Sequence, residues 1–358
     1  MKQSDDSNRV FWRSMTTVLL VVLFATGAVI LLVFLTRGKG DDATVGYQAP
    51  TVFAMDTTLD INIQGLPEKD AKADAAAVAA LAKSVEAHTS MFKQGSDVYL
   101  VNKNAGVSPV KVHPDTLLMV KRSLELSAMM EGAFDITVAP VVKLWGFYDK
   151  KYRVPSRQEI DAALPLVGYQ KVIVDEAAGT VMLPLRGMEI DLGGIAKGYV
   201  VGEMYKLLKE RGVKSAVINF GGSVGAIGRR ADGKQWVVGI KDPRGEPGDL
   251  IGEINLSDNF VNTSGDYERY FIQKGVRYCH LIDPRTGRQP RSTMSTTIVG
   301  PQAMNDDILS KLFVLGSEKG LELLGRLPGY DAVFVNSDGS IVRSPGMNKY
   351  AITIKEHI

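Results

Sequence analysis

Cysteine, histidine and tryptophan are scarce in this chain of 358 residues. It has one cysteine, Cys279, with four histidines and three tryptophans. A single cysteine excludes a disulfide within the chain and a metal site built from several thiolates. His280 follows Cys279 directly, but adjacent residues of a strand point to opposite faces. We therefore interpret Cys279 as a small buried apolar residue rather than half of a Cys–His catalytic pair.

An excess of charge of either sign is also missing. The 42 basic and 40 acidic residues leave a formal net charge of +2, which gives no reason to expect nucleic acid as a partner. No repeat of solenoid period and no long low-complexity tract occurs. The composition is that of an ordinary globular protein, long enough for one large domain or two smaller ones.

One long apolar run is present near the N-terminus. The segment Met15 to Leu35 carries no charged residue and is long enough to cross a bilayer as a helix. No cleavage motif of small residues follows it, which favours an uncleaved signal anchor. We predict a cytoplasmic tail (1–14), a transmembrane anchor (15–36), a linker (37–50) and a globular body (51–358). The basic residues around the run favour a body exported to the periplasm from a bacterial inner membrane.

The body alternates between strand and helix patterns. The segment TVFAMDTTLDINIQG is typical of a strand, and the alanine-rich stretch after it has helical periodicity. A second helix is closed by Gly132, and GMEIDLGG is predicted to be a strand that ends in a turn. The last third is rich in strands and hairpins. These patterns predict an α+β fold, with helices packed on largely antiparallel sheet.

Two glycine-rich turns follow apolar strands. DLGGIAKGY, from Asp191, has glycines and Lys197 ahead of a helix, although it fits neither standard phosphate-binding fingerprint. Its small residues would let backbone amides approach an anion at the helix N-terminus. The alternative is a tight turn in which Asp191 caps the helix. NFGG, from Asn219, is a weaker signal of the same kind.

Two further segments bring polar groups together. Thr263, Ser264 and Gly265 make a polar turn, and His280, Asp283 and Arg285 combine an imidazole, a carboxylate and a guanidinium. In AMNDDILSK, the carboxylate of Asp306 and the hydroxyl of Ser310 lie one helical turn apart and suit a hard cation such as magnesium. The alternative is a helix start with acidic residues that complement the dipole. Together the four segments suit chemistry on a phosphate ester or pyrophosphate.

The motifs occur in an order that resembles the ApbE family, the FAD:protein FMN transferases. They are AMDTTLDI, MFKQGSDVYLVN, GAFDITVAPVVKLWGF, DLGGIAKGY, NFGG, TSGDYERYF and HLIDPRTG. The resemblance implies an ApbE-like, T-fold-related core of mixed or antiparallel sheets. It also implies a magnesium-dependent transferase that links FMN from FAD to a threonine or serine hydroxyl and releases AMP. Its expected partners are flavoprotein subunits of membrane respiratory and redox complexes.

The resemblance also implies roles for individual residues. The FAD pocket would be lined by Met55, Phe92, Ala133, Phe134, Asp135, Asp191, Lys197 and Ile282. The metal ligands would be the Gly194 carbonyl, the Asp306 carboxylate and the Ser310 hydroxyl. His280 would be the general base, and whether Asp283 orients it or binds the cation stays open.

The chain departs from the family pattern at several positions. The last motif usually reads A-D-A-L-[SA]-T, and here it is NDDILSK, so the choice between Asp306 and Asp307 is a one-residue alignment choice. Asp306 is preferred because LFVLG then aligns without a gap and Ser310 replaces the threonine. Asp56 replaces a glycine, and Phe92 stands where tyrosine is frequent. The alternative functions are an FAD pyrophosphatase that releases FMN and AMP, and a flavin-binding protein without catalysis.

Overall fold

The computed structural model describes residues 46–358, in which helices and strands are intermixed. The α-helices of this range are α1 (Glu68–Thr89), α2 (Asp97–Lys103), α3 (Pro114–Met129), α4 (Ala139–Leu144), α5 (Arg157–Ala163), α6 (Ala196–Glu210), α7 (Ala303–Leu309) and α8 (Ser317–Leu324). The strands are β1 (Tyr47–Gln48), β2 (Val52–Ala54), β3 (Thr57–Gln64), β4 (Val110–Lys111), β5 (Ile173–Asp175), β6 (Thr180–Met182), β7 (Ser215–Phe220), β8 (Ser223–Ile227), β9 (Trp236–Lys241), β10 (Leu250–Leu256), β11 (Asn259–Gly265), β12 (Tyr270–Gln273), β13 (Val276–Cys279), β14 (Thr293–Gly300), β15 (Asp331–Asn336), β16 (Ile341–Arg343) and β17 (Ala351–Ile354).

The strands form one large sheet and three small ones. The large sheet has nine strands in the order β1-β3-β7-β8-β11-β14-β15-β16, with β2 paired to β3. The small sheets are β17-β10-β9, β12-β13 and β4-β6-β5. The strand pairs of these sheets are antiparallel. This confirms the predicted combination of antiparallel sheet with packed helices.

Strand β7 shows why the centre of the sheet is apolar on both faces. All six of its residues are buried. Ile218 and Phe220 face the core shared with helices α1, α6 and α7. Val217 faces the opposite core, which the small sheet β9-β10-β17 covers with Trp236 and Ile254. A strand covered on both faces reads as a continuous apolar run rather than as an alternating one.

A third apolar cluster ties the segment around α4 to the loop after β13. Trp145, Phe147 and Ile160 pack there with Ile282, which is buried. The indole N–H of Trp145 donates to the carbonyl of Gly287 at 3.0 Å. The cluster therefore fixes the loop that carries His280 and Asp283 against α4.

The segment TVFAMDTTLDINIQG forms a hairpin, whereas its pattern predicts one continuous strand. Strands β2 and β3 pair from Ala54 and Thr57, so Met55 and Asp56 alone make the turn. Both have positive φ, 51° and 57°, as a two-residue turn of type I′ requires. Asp56 replaces the family's glycine at a position where aspartate tolerates this conformation better than most residues. The backbone N–H of Met55 also donates to Glu86 on α1 at 3.0 Å.

The segment GMEIDLGG joins no sheet, so the predicted strand is wrong. Its backbone pairs with a side chain instead. The amide of Asn102 on α2 accepts from the N–H of Ile190 at 2.7 Å and donates to its carbonyl at 2.9 Å. The next N–H, that of Asp191, donates to the carbonyl of Ile136 at 2.8 Å. Asn102 thus takes the place of a neighbouring strand and positions the turn that follows.

The structure tests only part of the predictions made for the N-terminal segments. The tail (1–14) and the predicted anchor (15–36) lie outside the described residues. Within residues 46–358, no helix combines the length and apolarity that crossing a membrane requires. The predicted linker (37–50) ends inside the fold, because Tyr47 and Gln48 pair with Ile63 and Asn62 of β3.

Candidate active site

The turn before α6 is held by Asp191. One oxygen of its carboxylate accepts from the N–H of Gly193 at 2.8 Å, and the other accepts from the hydroxyl of Tyr148 at 2.7 Å. Helix α6 begins at Ala196 with Ile195 in the N-cap position, and no side chain of the helix's own turn caps it. Asp191 therefore shapes the turn and does not cap the helix.

Two glycines let neighbouring elements approach this turn. A Cβ on Gly194 would lie 2.9 Å from the Phe134 ring and 3.6 Å from Cε of Lys311. A Cβ on Gly198 would lie 2.7 Å from Cβ of Asp307 and would also strike the carbonyl oxygen of Ala303. A side chain at Gly194 would displace the Phe134 ring, and one at Gly198 would push α7 away from the N-terminus of α6.

Asp307 lies at that N-terminus. Its Oδ2 accepts from the N–H of Gly198 at 3.0 Å and is 3.9 Å from Nζ of Lys197. Its Oδ1 accepts from Nζ of Lys311 at 2.7 Å. Burial acts to raise the pKa of Asp307, but the charges of Lys197 and Lys311 and these hydrogen bonds outweigh it and lower the pKa. An anionic Asp307 thus caps α6 from another helix, where the helix dipole favours negative charge.

Lys311 is enclosed by oxygen atoms. Its Nζ lies 2.7 Å from Oδ1 of Asp307, 2.7 Å from the carbonyl of Asp307 and 3.2 Å from the hydroxyl of Ser310. The Ser310 hydroxyl lies 2.7 Å from that of Ser264 on β11 and donates to the Asp307 carbonyl at 2.7 Å. Burial lowers the pKa of Lys311, and Asp307 counteracts the shift.

Asp306 faces a different part of the molecule. Its side chain is fully buried against Gly300 and Tyr330, at the end of β14. Neither oxygen has a hydrogen-bond partner within the described residues. Burial, together with the charge of Asp307, raises its pKa well above the ordinary value. The structure does not bring this carboxylate to the Gly194 turn, and the position beside α6 belongs to Asp307.

Asp306 and Ser310 lie against different positions along the sheet. Ser264 pairs with Thr296, whereas Gly300 pairs with Phe260, four residues further along β14. At about 3.4 Å per residue the two places are roughly 14 Å apart. Asp306 and Ser310 do share a helical face, as predicted, but that face packs on the sheet. The next residues, Asp307 and Lys311, face α6.

His280 follows β13 and is half-buried. Its Nδ1 lies 3.3 Å from the carbonyl of Arg269, which can only accept, so the contact requires a proton on Nδ1. Nε2 is then the free acceptor. Burial and the charges of Arg269, Lys197 and Lys311 lower the pKa of His280 well below its ordinary value. The imidazole is therefore neutral at neutral pH and able to accept a proton through Nε2.

Asp283 is bound to its neighbour in the loop. Its two oxygens accept from Nε and Nη2 of Arg285, each at 2.9 Å. The Asp283 carbonyl also accepts from the N–H groups of Thr286 at 3.2 Å and Gly287 at 2.8 Å, which close the loop. This pairing makes Asp283 part of the loop's structure and leaves His280 to be oriented by Arg269.

The remaining predicted pocket residues divide into buried and exposed ones. Ala133, Phe134 and Ile282 are buried, and only the ring of Phe134 reaches the turn, at Gly194. Asp135 is also buried and accepts from the N–H groups of Thr137 and Tyr169, both at 2.7 Å. Burial raises its pKa, and its bonds are those of a structural cap.

Phe92 is the exposed member of the predicted pocket. The residue is 58% exposed, and its ring meets Tyr148 edge-on, with 5.3 Å between the ring centres. Tyr148 in turn binds Asp191. Sequence reasoning missed Tyr148, Asn102 and Lys311, although all three lie within or beside the motifs that it used.

Comparison with known proteins agrees with the motifs. The sequence model of the ApbE family matches residues 55–334. The chain belongs to the ApbE family. The FAD:protein FMN transferase of Klebsiella pneumoniae is 35% identical over 266 residues, which are 74% of this chain and 82% of that protein. The one of Treponema pallidum is 33% identical over 72% of this chain and 75% of its own length.

Solved ApbE structures share the fold. The ApbE protein of Thermotoga maritima has a TM-score of 0.78 and 34% identity, and the match covers 86% of this chain and 99% of that one. The flavin transferase ApbE of Vibrio cholerae has a TM-score of 0.76 and 28% identity, with coverage of 86% and 99%. The predicted family is confirmed, and its match includes all the candidate residues, from Met55 to Ser310.

Proposed function

We propose that this ApbE protein transfers FMN from FAD to a threonine or serine hydroxyl of a target flavoprotein. The observation that carries the proposal is the charge arrangement at the start of α6. Lys197 and Lys311 flank the helix N-terminus, and the neutral imidazole of His280 is near enough for both charges to lower its pKa. Cations that bind a pyrophosphate, next to a base, are the groups that phosphoryl transfer to a hydroxyl needs.

The two ends of FAD suit different parts of this site. The pyrophosphate, which carries two negative charges, would lie beside Lys197 and near the exposed Arg269, next to the start of α6 that Asp307 caps. The exposed Phe92 ring offers an aromatic surface on which a flavin ring can stack. Asp191, held by Tyr148 and Gly193, fixes the turn between these two regions.

The reaction forms one phosphorus–oxygen bond and breaks another. The acceptor hydroxyl attacks the phosphorus on the FMN side of the pyrophosphate, and its proton passes to Nε2 of His280. The bond from that phosphorus to the bridging oxygen breaks, and AMP leaves with this oxygen. A bound pyrophosphate would offset the charges of Lys197, Lys311 and Arg269 and so raise the pKa of His280 towards that of a useful base.

Magnesium was expected at this site, but the residues present do not fit it. Of the expected ligands, the Ser310 hydroxyl is bound by the ammonium of Lys311, and the Asp306 carboxylate lies against Gly300 instead. No step of the proposed reaction depends on a metal.

The test is to incubate the protein with FAD and an acceptor protein that carries an S/T-G-A-[ST]-like site. Transfer adds the mass of FMN to the acceptor and releases an equal amount of AMP. Release of both FMN and AMP with no labelled acceptor would identify an FAD pyrophosphatase instead. FAD that is bound and recovered intact would identify a binding protein without catalysis.

We propose further that the acceptors are flavoprotein subunits of membrane respiratory or redox complexes. The apolar segment 15–35 supports this, because an anchored enzyme would meet such subunits at the membrane surface. The body would face the periplasm of a bacterial inner membrane. Protease added to intact spheroplasts should then digest the body, and complete protection would contradict this orientation.

A further inference from the structure

The ammonium group of Lys311 lies in a site built for a cation. An ammonium has three donors, and three oxygens surround this one: a carboxylate oxygen and the carbonyl of Asp307, and the hydroxyl of Ser310. Carboxylate, carbonyl and hydroxyl oxygens are the ligands that hard divalent cations prefer. The Lys311 side chain is only 14% exposed, and its Cε packs beside Gly194.

A divalent ion cannot use these oxygens while Lys311 holds them. Magnesium binds oxygen at about 2.0–2.1 Å, and the position within reach of all three oxygens is the one where Nζ already lies. Two cations at one position repel each other strongly, most of all where water is excluded. Binding of the metal would require Lys311 to leave its place.

The sequence motif can also be aligned on Asp307, although LFVLG then requires a gap of one residue. The segment Asp307 to Lys311 reads D-I-L-S-K, and the family motif ends in D-A-L-[SA]-T. The aspartate, the leucine and the serine then match, and Lys311 takes the position of the threonine. In this alignment a hydroxyl that could bind a metal is replaced by a fixed positive charge.

We propose that Lys311 supplies within the chain the positive charge that a bound divalent cation would otherwise supply, so that this protein binds and uses FAD without a metal. The inference rests on the proposed function and specifies what neutralises the pyrophosphate. The Lys311 N–H groups would shift from Ser310 to a pyrophosphate oxygen and remain anchored on Asp307.

The first test measures metal binding directly. Mn²⁺ is titrated into the full-length protein, with and without FAD, and free Mn²⁺ is followed by electron paramagnetic resonance. The wild-type protein should bind no Mn²⁺ beyond the buffer control, whereas Lys311→Thr should bind about one per chain when FAD is present. Lys319→Thr is the matched control, because Lys319 makes only surface ion pairs with Glu131 and Glu322.

The second test measures FMN transfer in EDTA. The wild type and Lys319→Thr should keep their rates, and Lys311→Thr should become dependent on added Mg²⁺. Stoichiometric Mn²⁺ binding by the wild type, or loss of its transfer in EDTA, would overturn the inference even if Lys311→Thr failed to fold. A wild type that transfers no FMN under any condition would refute the proposed function, and the Mn²⁺ titration would still decide the role of Lys311.

Discussion

Replacement of Gly198 by alanine tests the close contact between α6 and α7. A Cβ at this position would lie 2.7 Å from Cβ of Asp307, whereas carbon atoms pack at about 3.5 Å or more. The helices must therefore separate by roughly 0.8 Å, and by more at the Ala303 carbonyl. This movement lengthens the hydrogen bond from the Gly198 N–H to Asp307, which is 3.0 Å in the native fold.

The expected cost follows from three contributions. Overpacking costs about 1–3 kcal/mol, and a weakened hydrogen bond to a charged group costs about 1.5–3 kcal/mol. Alanine is a better helix former than glycine by about 1 kcal/mol, which offsets part of this. We expect Gly198→Ala to lower the free energy of unfolding by about 3 kcal/mol.

Gly202 is the matched control, one helical turn further along α6. A Cβ there would have only Cβ of Ala303 near it, at 4.0 Å. Gly202→Ala should therefore stabilise the protein by up to about 1 kcal/mol. Urea denaturation followed by the fluorescence of the buried Trp145 and Trp236 measures both variants. A Gly198→Ala variant as stable as Gly202→Ala would refute the close contact.

Four further predictions concern the site. Burial raises the pKa of Asp306 in the folded protein, so the wild type should lose stability as the pH rises above the pKa of this group in the unfolded chain. Asp306→Asn should remove this pH dependence, measured as urea midpoints at pH 5 and 8. The variant should keep transfer. Asp307→Asn should instead slow transfer about 100-fold or more in the same acceptor assay. Because burial and nearby cations lower the pKa of His280, kcat/KM should not fall between pH 8 and 6.5. His280→Ala should lower kcat/KM by about 10²–10⁴-fold. A loss below tenfold would contradict the assigned base. Tyr148→Phe removes the bond to Asp191 and should cost about 1.5–3 kcal/mol in urea unfolding; an unchanged midpoint would mean that the bond is unimportant.

The periodicity of the sequence predicted most elements of the fold because apolar spacing differs between helix and strand. It failed where a side chain or a turn replaces a regular partner. The segment before Asp191 has a strand-like pattern, yet the amide of Asn102 satisfies its backbone. The turn at Met55 and Asp56 lacks the glycine that would mark a two-residue hairpin turn, so its two strands read as one.

The motifs predicted the family because many short matches in a fixed order are specific. They do not by themselves distinguish residues that hold a loop in shape from residues that would bind a ligand. Asp135 and Asp283 lie in the strongest motifs, yet their carboxylates are bound to Thr137, Tyr169 and Arg285. A motif residue that holds a loop in shape and one that binds substrate cannot be told apart from the sequence motif. Only the hydrogen-bond partners separate them.

The choice between Asp306 and Asp307 shows where spacing stops being informative. Asp306 with Ser310 and Asp307 with Lys311 have the same i, i+4 spacing, and both aspartates are fully buried. A shift of one residue turns a side chain by about 100° around a helix, here from the sheet towards α6. The deciding signal is Gly198, more than a hundred residues earlier, because only a glycine lets Asp307 reach the helix start. With Asp307 placed there, the ammonium of Lys311 is the nearest cation to its carboxylate. The site that the motif suggested for a metal therefore already holds the positive charge of Lys311.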